Sequence, residues 1–251
     1  MRDGAYYSRQ RNDARKGTFT MRLLLLGPQG AGKGTQAQRL AEITGARHIS
    51  TGDLVRAEIE AATGLGHTIQ GYNDRGELVP DDIITQMTIA CLRTLTSWIL
   101  DGFPRSQAQA SALDQALAEA GVAIDLVAAL EAADTTMIER ASGRRQSKAT
   151  GRIYHLTNNP PPADDPGPFV QRGDDEPEKI RHRLAIYHAE TEPLRDYYAA
   201  RGILLTLDAL QPIDVVTGTI LRAVEDHTHA SQTHRRQREG DRALSPSLSL
   251  T

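Results

Sequence analysis

The chain has 251 residues, a net charge of −3 and one cysteine. A chain of this length buries a sizeable core, but one cysteine excludes an internal disulfide framework and a multi-cysteine zinc site. The weak negative charge gives no general attraction for nucleic acid. No apolar run approaches the roughly 20 residues of a membrane helix. We therefore expect a cytoplasmic protein that binds neither nucleic acid nor a membrane.

Strand and helix patterns alternate between residues 21 and 224. In chain order they predict a strand at 21–26, helices at 33–44, 53–62 and 81–94, a strand at 97–100, a helix at 106–120, a strand at 125–131, a helix at 135–142, a long helix at 177–200, a strand at 203–207 and a helix at 213–224. This alternation predicts an α/β fold with a parallel sheet, whose ligands bind at the carboxyl ends of the strands.

Three segments depart from this alternation. Residues 1–20 and 226–251 lack a periodic apolar pattern, so we expect disordered extensions there. Residues 145–176 are rich in proline, glycine and asparagine. Because that composition does not build regular core elements, we interpret the stretch as an excursion over the surface.

A glycine-rich segment, GPQGAGKGT, joins the first strand to the first helix at residues 27–35, here called the phosphate loop. Its glycines let backbone N–H groups surround a phosphate, and the helix N-terminus adds partial positive charge. Lys33 supplies a full charge to the β and γ phosphates. Gly34 stands where the generic motif has serine or threonine, so the hydroxyl comes one residue later, at Thr35.

Charged residues also follow later strands. Asp101, directly after the second predicted strand, stands where a carboxylate would face Mg²⁺ or its waters. Arg56 in STGDLVR and Arg105 in DGFPR are suited to fork a second phosphate. With the phosphate loop, these residues predict a site for two phosphate-bearing ligands.

Several segments together resemble the successive signatures of one family, the adenylate kinases. They are GPQGAGKGTQAQRL, HISTGDLVR, RGELVPDDII, ILDGFPRSQAQA, GRRQSKATGRIYH and IRHRLAIYH, in the family's order over residues 21–225. The resemblance implies a P-loop NTPase-type five-stranded parallel sheet flanked by helices. It also implies a core at 21–49, 80–142 and 176–225, a helical clamp for the monophosphate at 50–79 and a lid at 143–175.

The resemblance further implies reversible phosphoryl transfer from ATP to AMP by a monomer, with Mg²⁺ and lid closure. ATP would be held by Gly30, Ala31, Gly32, Lys33, Gly34, Thr35, Arg140, Arg144, Ile153, Tyr154 and Gln211. AMP would be held by Thr51, Arg56, Glu77, Leu78, Val79, Gly102, Phe103, Pro104, Arg105, Gln109, Arg172 and Arg183. The implied catalytic residues are Lys33, Arg105, Arg144, Arg172 and Arg183.

The remaining implied roles concern the metal and the lid. Asp101 would hold Mg²⁺ through water, and the acidic pair Asp174 and Asp175 would tie the closed lid to the core. Some relatives carry zinc-binding cysteines in the lid. No zinc site is expected here, because this lid contains no cysteine.

Two alternatives remain beside AMP phosphorylation. One is a kinase for UMP or CMP, and the other is a nucleotide-binding regulator without transfer activity. Transfer requires alignment and charge neutralisation, and a regulator would have no use for cations around both phosphates. Gln109 offers a donor and an acceptor to adenine, and Thr51 is small enough to admit a purine, so the sequence favours AMP.

Overall fold

The computed structural model describes residues 20–74, 79–157, 159–171, 173 and 175–227. Four residues whose roles the resemblance implies lie outside this part of the chain: Glu77, Leu78, Arg172 and Asp174. Almost all of both predicted extensions lies outside it as well.

Strands and helices alternate through the described residues. They are β1 (Arg22–Leu26), α1 (Lys33–Thr44), β2 (Arg47–Ser50), α2 (Thr51–Glu60), α3 (Gly64–Asp74), α4 (Asp81–Leu92), β3 (Trp98–Asp101), α5 (Gln107–Glu119), β4 (Leu126–Glu131), α6 (Asp134–Ser142), β5 (Arg144–Ser147), β6 (Ile153–His155), β7 (Phe169–Val170), α7 (Pro177–Ile186), α8 (Leu194–Ala199), β8 (Leu204–Asp208) and α9 (213–227). Five of the strands form a parallel sheet in the order β2-β3-β1-β4-β8. The predicted fold class is confirmed.

The central strand β1 is buried on both faces of the sheet. Leu23 and Leu25 pack with residues of α1, α6, α7 and α9, whereas Leu24 and Leu26 pack with residues of α4, α5 and α8. Full burial of each leucine contributes about 1.5–3 kcal/mol. The strand that leads into the phosphate loop is therefore firmly fixed in the core.

The helix predicted at 177–200 is not continuous. Helix α7 ends at Ile186, a π-helical turn occupies Tyr187–Thr191, and α8 begins at Leu194. Pro193 has no N–H group to donate, and its ring would clash with the carbonyl four residues earlier in a regular helix. The prediction of one long helix was wrong because it neglected this proline.

Residues 143–175, the predicted lid, contain regular structure that their composition did not indicate. Strands β5, β6 and β7 form a small antiparallel sheet in the order β6-β5-β7. Strand β2 and helix α3 were also not located in the sequence. No helix in the described ranges is long and apolar enough to cross a membrane.

Candidate active site

The phosphate loop lies at the carboxyl end of β1 and packs tightly against α6. Gly30 has a φ of +92°, and a methyl group placed on it would lie 2.4 Å from the carbonyl oxygen of Met137. Only glycine adopts this conformation in so little space. The backbone N–H groups in the first turn of α1 have no partners within the helix, so the loop ends in a site suited to an anion.

Lys33 folds back onto this loop. Its Nζ donates hydrogen bonds to the carbonyl oxygens of Gly27, at 2.7 Å, and Pro28, at 2.9 Å. Burial lowers the pKa of Lys33 to about 8, with the charge of Asp101 acting against this effect and those of Arg105 and Arg144 acting with it. Four predicted site residues therefore share one electrostatic environment.

The surroundings of Gly34 explain the departure from the generic motif. A methyl group at Gly34 would lie 3.1 Å from Cδ1 of Ile153 and 3.6 Å from Oδ2 of Asp101. A serine or threonine side chain there would require the Ile153 side chain on β6 to shift by a few tenths of an ångström. The structure thus brings Ile153, an implied ATP contact, directly over the loop.

Asp101 is the last residue of β3 and its side chain is about 15% exposed. Desolvation acts to raise its pKa, but the neighbouring His48 ring and the charges of Lys33 and Arg105 outweigh it and hold the pKa below its ordinary value. His48 Nε2 is 3.9 Å from Asp101 Oδ2, beyond hydrogen-bond distance. The carboxylate is therefore ionised at neutral pH.

This carboxylate fits a magnesium ion that arrives with a nucleotide. Mg²⁺ in such sites is held by one or two carboxylates, with phosphate oxygens and waters as the other ligands. The described residues contain no group of three or more His, Cys, Asp or Glu side chains that would hold a metal without a nucleotide. Asp101 thus fits a Mg²⁺ site in which the protein and the nucleotide phosphates both supply ligands.

Gln29 of the phosphate loop contacts a buried ion pair that joins the two ends of the predicted lid. Arg144 Nε donates to Asp175 Oδ2 at 3.0 Å, and its Nη2 donates to Oδ1 at 2.5 Å, with Asp175 fully buried. Gln29 Nε2 donates to the same Oδ1 at 2.7 Å, and Gln29 Oε1 accepts from Arg183 Nη1 at 3.2 Å. Gln29 therefore links the loop to two of the predicted catalytic arginines.

Within the predicted lid, Asp165 joins strands β5 and β6 and the turns beside them. Its carboxylate accepts hydrogen bonds from Ser147 Oγ, Thr150 Oγ1, Tyr154 Oη and Gly167 N–H, at 2.7–3.0 Å. Desolvation acts to raise its pKa, but these donors hold the pKa of Asp165 well below its usual range. The Tyr154 side chain is thus buried within the predicted lid itself.

A second compact unit lies at the carboxyl ends of β2 and β3. Thr51 Oγ1 donates to the carbonyl oxygen of Gly102 at 2.9 Å, and Arg105 Nε donates to the same oxygen at 2.8 Å. Gly102 has a φ of +85°, and a methyl group there would lie 2.9 Å from Thr51 Oγ1. Gln109 Oε1 accepts from the Arg105 N–H at 2.7 Å. The predicted monophosphate contacts around Gly102, including the buried Phe103 and Pro104, are therefore adjacent.

Arg140 and Arg56, two more of the predicted ligand contacts, differ in their surroundings. Arg140 Nη1 donates to the carbonyl of Ala209 at 2.7 Å, so it lies beside the β8–α9 loop that carries Gln211. Arg56 is exposed and folds back to pair with Asp53 on its own helix. Arg140 and Gln211 are thus close together, whereas Arg56 points to its helical neighbour.

Two residues were not singled out in the sequence, Gln29 and Asp81. The phosphate-loop motif permits any side chain at Gln29, and Asp81 resembles an ordinary acidic residue at a helix start. Asp81 Oδ1 accepts a hydrogen bond from Gln109 Nε2 at 2.6 Å. Neither role has a local sequence signal.

Comparison with known proteins gives a consistent result. The family model for adenylate kinase matches residues 25–203. The adenylate kinase of Carboxydothermus hydrogenoformans is 42% identical over 213 residues, which cover 82% of this chain and 100% of the relative. That of Anaeromyxobacter sp. is 47% identical over 199 residues, covering 76% and 92%, and that of Acidothermus cellulolyticus is 44% identical over 216 residues, covering 81% and 98%.

Proposed function

The chain belongs to the adenylate kinase family, and from that premise we propose how its residues divide the transfer of a phosphoryl group from ATP to AMP. The protein is an adenylate kinase enzyme, and the UMP/CMP and regulator alternatives are not favoured. The observation that supports the division is the pair of anion sites at one sheet edge. The phosphate loop follows β1, and the Thr51–Gly102–Arg105 unit follows β2 and β3.

On the ATP side, the backbone N–H groups of residues 30–35 would hold the β and γ phosphates. Lys33 would exchange its bonds to the Gly27 and Pro28 carbonyls for bonds to phosphate oxygens. Arg140 would lie against the adenine, with the backbone near Gln211 at its edge. Supporting this role, the Arg140 guanidinium already contacts the β8–α9 loop.

In the transfer step, an oxygen of the AMP phosphate attacks the γ-phosphorus of ATP while the bond to the bridging oxygen of ADP breaks. No base is needed, because the attacking oxygen is already ionised. Lys33, Arg105, Arg144, Arg172 and Arg183 would neutralise the charge on the transferring group. Mg²⁺, held through water by Asp101, would supply further charge neutralisation at the β and γ phosphates.

We also propose the three-part division into core (21–49, 80–142, 176–225), clamp (50–79) and lid (143–175). The two ends of the lid meet at the Arg144–Asp175 pair, which supports its movement as a unit. A single chain carries all the proposed cations, so we propose an active monomer. We propose the cytoplasm as its location.

The proposed AMP site gives a test of base selection. We expect AMP to be preferred over CMP, UMP and GMP, and Gln109→Ala to weaken AMP use by about 1–3 kcal/mol, because a buried polar contact is lost. The effect on CMP should be smaller, since a pyrimidine would not make that contact fully. The measurement is kcat/KM for each monophosphate at fixed ATP.

Gln107→Ala is the matched control, because Gln107 is exposed and lies on the same helix. It should leave the order of monophosphates unchanged. If the wild-type protein has equal kcat/KM values for CMP and AMP, AMP selectivity is wrong, but the assignment as a kinase is unaffected.

A further inference from the structure

Gln109 is 5% exposed, and both ends of its amide contact protein groups. Oε1 accepts a hydrogen bond from the Arg105 N–H at 2.7 Å, and Nε2 donates to Asp81 Oδ1 at 2.6 Å. The other Asp81 oxygen accepts from Ser106 Oγ at 2.9 Å. Since Asp81 begins α4 and Ser106 caps α5, the carboxylate joins the two helices beside the second site.

The chemistry of these two partners fixes the direction of the amide. A backbone N–H only donates and an ionised carboxylate only accepts. If the Gln109 amide turned over, its oxygen would face the Asp81 carboxylate and its NH₂ group would face the Arg105 N–H. Both hydrogen bonds would be lost and two repulsive contacts would replace them, in a buried position where unsatisfied polar groups are costly.

We propose that Asp81 is a positioning residue, which locks the Gln109 amide in the one orientation that accepts adenine and rejects hypoxanthine. This inference rests on the proposed role of Gln109 at the base of AMP. An amide oxygen has two lone pairs and an amide nitrogen has two hydrogens. One of each is used by Arg105 and Asp81, so one acceptor and one donor remain for a ligand.

The two purines differ in what they present to that pair. Adenine offers an amino group as donor beside a ring nitrogen as acceptor. Hypoxanthine offers a carbonyl oxygen and an N–H in the same two places, with donor and acceptor exchanged. IMP would therefore need the reversed amide, which the Asp81 carboxylate and the Arg105 N–H both oppose. The lock thus excludes IMP without any direct contact between Asp81 and the base.

The test is Asp81→Asn, which keeps the shape of the side chain and lets its amide nitrogen donate to a reversed Gln109. We expect the ratio of kcat/KM for AMP to that for IMP to fall about tenfold, with AMP use decreasing and IMP use increasing. The KM for ATP should not change. A merely structural role at the start of α4 would lower the use of both monophosphates together and leave the ratio unaltered.

Asp82→Asn is the matched control, since Asp82 is the next residue and is exposed like Asp81, and its loss removes the same charge from the first turn of α4. Thermal melting of both variants checks that they fold. If the ratio of kcat/KM for AMP to that for IMP is the same in Asp81→Asn and Asp82→Asn, the positioning role of Asp81 is wrong, while the proposed role of Gln109 stands. A wild-type protein that uses IMP as well as AMP would overturn the proposed role of Gln109, and the lock with it.

Discussion

Lys33→Met is expected to reduce kcat/KM for the ATP–AMP reaction by about 4 kcal/mol, on the order of 10³-fold, without loss of the fold. The Lys33 ammonium group lies in the phosphate loop and would meet charge that develops on the transferring phosphates. Methionine keeps much of the length and packing of the side chain but removes that charge. Steady-state kinetics should show a larger change in kcat than in KM for ATP.

The same substitution should not destabilise the free protein. Burial lowers the pKa of Lys33 to about 8. At neutral pH the charged lysine therefore lowers the free energy of unfolding. Lys33→Met should melt at the wild-type temperature or a few degrees above it. Lys148→Met, on an exposed turn of the lid, is the matched control and should retain activity. A Lys33→Met protein with most of its turnover would contradict the phosphate-loop assignment.

The pKa of Lys33 also gives a proton-linkage signature. Between pH 8 and the ordinary lysine value of 10.5, the folded state binds fewer protons than the unfolded state, so folding stability rises with pH in that window. Bound phosphates favour the charged lysine, so ATP binding at pH 9 should take up close to one proton. Calorimetry in two buffers of different ionisation enthalpy measures this uptake. Equal uptake by Lys33→Met would show that another group is responsible.

The sheet could be predicted where burial leaves a strong pattern in the sequence. Strands β1 and β4 are covered on both faces, and each appears as an almost continuous apolar run. Strand β2 has only four residues, of which Ile49 alone is fully buried, so its signal is too weak. The three strands at 144–170 have only two to four residues each, and β5 and β6 are joined by Asp165, a polar residue that no apolar periodicity reveals.

The site shows the same division between local and distant determinants. Lys33 and the glycines around it could be predicted because one turn of backbone sets their spacing. Gln29 acts through Asp175, 146 residues away, and Asp81 acts on Gln109, 28 residues away. Such pairs form only after the sheet assembles, so spacing along the chain cannot identify them. The ligand contacts implied for all the site residues remain predictions, and Glu77, Leu78 and Arg172 also lie outside the described part of the chain.

Replacement of residues 145–172 by a short glycine linker is expected to abolish most transfer to AMP while ATP still binds. The two ends of the lid lie close together, since Gln171 Nε2 donates to the Ser142 carbonyl at 3.3 Å and Arg144 pairs with Asp175. A short linker should therefore close the gap without disturbing the core. Loss of Arg172 and of the Ile153 cover should lower the transfer rate by about 10³-fold or more. A coupled assay for ADP and calorimetry of ATP binding measure the two effects.

Arg172→Met in an intact lid separates the lost cation from the lost cover. It should slow transfer but still exclude water from the γ-phosphate, because the β5–β6–β7 sheet remains in place. The linker variant should instead hydrolyse ATP in the absence of AMP. Its ratio of hydrolysis rate to residual transfer rate should be larger than that of Arg172→Met. If the two variants show the same ratio, the lid acts only through Arg172. If the linker variant transfers phosphate at the wild-type rate, residues 145–172 are a surface loop and the proposed lid is wrong.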